Sequence, residues 1–93
     1  MAKPAWQVFS ARTAAEQVRA EMLEYRQGAR LRRYQGYREV NGRTEFLGFE
    51  EGYDLDGPSA LVLFAEPFCG VKRRLRGNRV ETRDGDVIKV VKL

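Results

Sequence analysis

Two β-like runs, ARLRRYQGYREV (29–40) and RTEFLGFEEGY (43–53), flank Asn41-Gly42. Asn-Gly between such runs is the strongest short-range hairpin signal. A type I′ turn needs φ > 0 at both central residues, which Asn and Gly tolerate. A two-residue turn puts Val40 opposite Arg43, and the rest of the register follows by counting outward. Arg38 then meets Glu45, Tyr37 meets Phe46, Tyr34 meets Phe49, Arg33 meets Glu50 and Arg32 meets Glu51. Opposite charges and aromatic pairs in cross-strand positions each stabilise a hairpin by roughly 0.2–1 kcal/mol. In this register Tyr37 and Phe46 face one way, Tyr34 and Phe49 the other. Gly36 and Gly48 lie inside the strands, where glycine often marks a bulge. A bulge there would flip part of the pattern and could put all four rings on one side.

The chain around this hairpin reads as one helix followed by further strands. Lys3 to Phe9 fits a short first strand, with Trp6 as a packing residue. Ser10 to Gln27 predicts a helix, with Thr13 and Glu16 as a capping box and Ser10 as a second candidate cap. Ala15, Val18, Met22 and Tyr25 recur at helical spacing as an apolar stripe, widened by Ala14 and Leu23. Glu16 can pair with Arg12 and Arg19, and Gly28 supplies a stop. Arg12, Arg19 and Arg26 repeat every seven residues as a solvated face. Asp54 to Ser59 is a turn by composition, and Ala60 to Ala65 predicts a buried central strand, ended by Pro67. Val71 to Arg76 predicts another strand. A last hairpin joins Arg79–Arg83 to Asp86–Leu93 around Asp84-Gly85. There a two-residue loop would set Thr82 against Val87, and a three-residue loop Val80 against Ile88. The expected fold is α+β and a single domain over residues 1–93. One N-terminal amphipathic helix packs on a twisted, mainly antiparallel sheet, or a small open barrel, of five to six strands.

Several function classes lose support at once. The longest apolar run, Ala60 to Ala65, is far short of the ~18 residues that span a membrane. The first residues have no signal-peptide core, so no membrane role and a cytoplasmic location are expected. Histidine is absent, which removes the commonest general base and a common metal ligand. No phosphate-binding glycine loop, nucleophile elbow or zinc-ligand spacing occurs. No enzyme activity, cofactor, metal or small-molecule substrate is expected. Cys69 is the only cysteine and reads as a small buried hydrophobe. Glu50, Glu51, Asp54 and Asp56 are close enough to suggest an oxygen-rich cation site. The ordinary reading has the glutamates pairing with Arg32 and Arg33 while the aspartates shape a turn.

Charge is segregated along the chain. Residues 29–43 carry five basic and one acidic side chain, residues 44–66 carry six acidic and no basic ones, and residues 67–93 carry eight basic and three acidic ones. The acidic block lies opposite the first basic block in the hairpin, whereas the last basic block has no such partner. Within it, Lys72, Arg73, Arg74, Arg76 and Arg79 occur without an intervening acid. Strand alternation would line Lys72, Arg74 and Arg76 along one face at about 6.6–6.8 Å intervals. That spacing suits the phosphates of a nucleic-acid strand, and arginine suits bidentate phosphate contact. The same charges would also keep an exposed edge strand soluble. This stretch lacks interleaved aromatics, and Tyr34 and Tyr37 are expected to pack on Phe49 and Phe46. Base stacking is therefore not indicated, and phosphate contacts with weak sequence preference are.

The leading expectation is a small non-enzymatic protein that binds a nucleic-acid backbone through Lys72, Arg73, Arg74, Arg76 and Arg79. The alternative is a protein–protein module: a regulator, an inhibitor or an assembly component, phage-encoded ones included. It would meet a protein partner or a second copy through segregated charge and exposed sheet edges.

Overall fold

The computed structural model describes residues 10–93. Helix α1 (Ser10–Met22) leads into strands β1 (Leu31–Val40) and β2 (Arg43–Tyr53). Helix α2 (Gly57–Ala65) and a 3-10 turn (Glu66–Phe68) follow, then β3 (Val71–Leu75), β4 (Arg79–Thr82) and β5 (Val87–Lys92). The five strands form one open antiparallel sheet in the order β2-β1-β5-β4-β3. The class is α+β. The expected strand over Lys3–Phe9, with Trp6, lies outside the described residues.

The hairpin forms as its turn dictates. Asn41 and Gly42 both take positive φ, and Val40–Arg43, Arg38–Glu45 and Tyr37–Phe46 pair as expected. Beyond Tyr37 the register shifts by one. Gly36 pairs with Gly48, Gln35 with Phe49, Tyr34 with Glu50 and Arg33 with Glu51. Leu47 is the extra residue, and Gly48 absorbs the bulge at φ 119°. The pairings expected for Tyr34, Arg33 and Arg32 are each displaced by one position. The last hairpin takes the three-residue loop, with Val80 opposite Ile88. Gly85 adopts φ 90°, and Thr82 Oγ1 accepts from the Asp86 N–H at 3.0 Å.

Ala60–Ala65 is not a strand but most of α2. A run of six apolar residues has no period that separates a central strand from a buried helix; the cap decides. Asp56 has extended backbone, and its carboxylate accepts from the Ser59 N–H at 2.8 Å. Pro58 sits in the first turn, where its missing N–H costs nothing. The helix has no polar face: Ala60, Leu61, Leu63, Phe64 and Ala65 are all buried. Such a helix must be covered, and α2 lies across the sheet, touching every strand. It carries the chain from β2 at one edge to β3 at the other.

Gly36 and Gly52 record this packing. A Cβ at Gly36 would fall on the Phe64 ring, and one at Gly52 on the Met22 side chain. Both glycines face the helices, so α1 and α2 share one side of the sheet. With Leu61, Leu63, Ile88, Val80 and Val90 they enclose the core. Tyr34 is buried there too, and burial, helped by the Asp56 carboxylate, pushes its phenol above the ordinary tyrosine value. Helix α1 ends at Met22, short of the expected Gln27. Thr13 lies inside it rather than at its cap, and Leu23 and Tyr25 beyond it are 74 % and 67 % exposed. Tyr25 instead meets Tyr53 edge-on at 5.3 Å. Cys69 is exposed, not buried. It closes the 3-10 turn at φ 67°, donating its N–H to the Glu66 carbonyl.

Candidate nucleic-acid interface

The basic stretch 72–79 forms β3, the turn after it and the start of β4. β3 is an edge strand, so among the described residues one side of its backbone has no partner strand. Its side chains do not line up in the simple alternating row. A register shift between Val71 and Arg73 leaves Lys72 in a bulge, and Arg76 lies in the turn beyond Leu75. Gly77 and Asn78 complete that turn with positive φ.

The five cations divide into two kinds. Arg73 Nε lies 2.6 Å from Glu81 Oε1, its cross-strand neighbour. Arg79 donates from Nε to the Arg76 carbonyl at 2.9 Å and reaches Glu39 at 3.4 Å. These two are held by the sheet. Lys72, Arg74 and Arg76 are exposed, and among the described residues none of them forms an ion pair. The structure thus gathers three uncompensated positive charges on one edge.

The acidic block 44–66 is spent differently. Glu45 lies against Arg38 at 3.0 Å and Glu51 against Arg33 at 4.0 Å. Glu50 receives both terminal nitrogens of Arg19, at 3.3 and 3.4 Å, and Glu66 lies 3.7 Å from the same guanidinium. Arg19 therefore reaches over to the sheet and does not simply face solvent. Asp54 accepts from the Arg30 N–H at 3.0 Å, and Asp56 caps α2. All six carboxylates have a partner within the fold. Among the described residues no group of three or more His, Cys, Asp or Glu side chains is placed to hold a metal ion. No described helix is long and apolar enough to cross a membrane.

One feature of the site is invisible in the basic stretch itself. Among the described residues no helix lies on the second face of the sheet. The β2 bulge moves Phe49 onto this face, beside Phe46 and Tyr37. Ring centroids are 5.5 Å apart for Tyr37–Phe46 and 5.3 Å for Phe46–Phe49. The two phenylalanines are 50 % and 46 % exposed. The Arg33 guanidinium sits 4.5 Å from the Phe49 ring centroid, a cation–π distance. Gly36 and Gly48 inside the two strands were the only sign of this in the sequence.

No family model, no curated protein and no solved structure matches this chain. Its chemistry has to be read from its own geometry.

Proposed function

We propose that this protein is a non-enzymatic nucleic-acid-binding module that holds a phosphate backbone along β3 and the turn after it. The observation that carries this reading is the trio Lys72, Arg74 and Arg76: exposed, uncompensated and on a sheet edge. Phosphate contacts of this kind give affinity and orientation without sequence information. Arg73 and Arg79 belong to the same surface, but their glutamate partners must be displaced or shared before they meet a phosphate. They are secondary contacts.

Fluorescence anisotropy with labelled DNA and RNA at about 50 and 200 mM salt tests the reading. Three neutralised phosphates on B-DNA predict a log–log salt slope near −2.7. The double variant Lys72→Glu/Arg74→Glu should lose binding with an unchanged melting temperature, since both side chains are exposed and unpaired. Unchanged affinity in that variant would remove β3 from the site.

A protein–protein role is the second reading. It is favoured by the long edge of β2, unpaired among the described residues, and by Leu31, Leu93 and Val91, exposed large hydrophobic residues of β1 and the β5 end. Its charge-docking form has less support, because the acidic block is engaged internally. A mass that rises with concentration in light scattering would favour it.

A further inference from the structure

We infer that the helix-free face of the sheet is a stacking platform, and that the ligand of this protein is single-stranded nucleic acid rather than duplex. The inference rests on the proposed phosphate site along β3 and names the form of nucleic acid that the site takes.

Phe46, Phe49 and Tyr37 form the platform. Cross-strand aromatic pairs commonly pack against a second layer, but among the described residues these rings have none, and both phenylalanines keep about half their surface in solvent. An exposed ring on a rigid sheet offers a flat partner to any unpaired base, and a stacked base contributes substantially whatever its identity. Bases within a duplex are already stacked and cannot use it. Arg33 over Phe49 adds a guanidinium plane at the margin of the same surface, which is a further stacking partner for a base.

Charge on this face fits a polyanion. Its carboxylates are Glu39, Glu51 and Glu81, and each is within ion-pair distance of an arginine on the same face: Arg79, Arg33 and Arg73. Lys89 lies opposite Tyr37 on β5, exposed and without an ion pair among the described residues. Among the described residues the face therefore presents one positive charge in excess and no uncompensated acid. From β2 to β3 is four strand spacings, about 19 Å. A few nucleotides of extended single strand cover that distance. They would lay bases on the rings at β1 and β2, pass Lys89 at the centre, and bring phosphates to the β3 edge at Lys72 and Arg76, where Arg74, opposite the buried Val80, flanks the same edge from the helix-covered side.

The test compares three probes by anisotropy: a single-stranded oligonucleotide of about 12 nucleotides, a duplex of the same length, and inorganic polyphosphate as a competitor without bases. The wild-type protein is expected to bind the single strand at least about tenfold more tightly than the duplex. Phe46→Leu/Phe49→Leu should lose that preference while keeping its affinity for polyphosphate. Phe49→Trp gives an independent readout, because a stacking base would quench its emission more strongly than that of the wild type. Sedimentation of the wild type and the leucine variant completes the set.

Equal affinity for single strand and duplex, unaffected by the leucine substitutions but lost in Lys72→Glu/Arg74→Glu, would overturn the stacking inference and leave the phosphate site standing. No binding of any probe by the wild type at about 50 mM salt would overturn both. A dimer that the leucine variant abolishes would assign the face to a second copy, and the inference would fall.

Discussion

A methyl group added at Gly36 would land on the Phe64 ring. The sheet and α2 approach each other there with no room for a side chain, and Phe64 is pinned between neighbours that are themselves buried. Overpacking of this kind costs about 1–3 kcal/mol. Gly36→Ala should therefore lower the urea midpoint by a matching amount, with the m-value unchanged. A midpoint equal to the wild type would mean that α2 can slide away from β1 freely. At the same scale, the fate of each acidic residue follows from one or two atoms. Asp56 is a cap because the Ser59 N–H is left without a helical partner, and Asp54 closes the hairpin base by donating its N–H to the Arg30 carbonyl at 2.7 Å and accepting from the Arg30 N–H.

The elements differ in how openly the sequence announces them. The β1–β2 hairpin was readable because its turn residues, charge pairs and aromatic pairs all agree on one register near the turn. Its outer half was not, since a bulge is decided by packing: β2 gains one residue so that Leu47 can turn toward the core while Phe49 crosses to the other face. The sequence of α2 does not announce a helix, because six consecutive apolar residues carry no period. The information lay just upstream, in Asp56, Pro58 and Ser59. Removing that cap by Asp56→Ala should cost about 1 kcal/mol, whereas Asp56→Asn should stay within a few tenths. Chemical denaturation of the two variants separates capping from general loss of charge. The basic stretch of the candidate site was legible as composition. Which of its charges remain uncompensated was not, because Glu39 is brought to Arg79 across forty positions of sequence. The aromatic half of the site depended on the bulge and was equally hidden.

Across the whole molecule, one guanidinium ties three elements together. Arg19 of α1 contacts Glu50 of β2 and Glu66 at the end of α2. The side chain is two-fifths exposed, so Arg19→Ala should cost only about 1 kcal/mol or less of global stability. Its local effect should be larger: amide exchange in α1 should quicken more than exchange in β5. Parallel acceleration in both would show that α1 opens only when everything does. The order of the strands has another consequence, for a chain still on the ribosome. β5 lies between β1 and β4, yet it is the last of the five to be made. Until Val87 and the residues after it emerge, the nascent chain holds two separate ribbons, β1–β2 and β3–β4, bridged by a largely apolar helix. Neither ribbon is stable alone. The sheet closes in a single late step, when one strand fills the gap and two open edges vanish together.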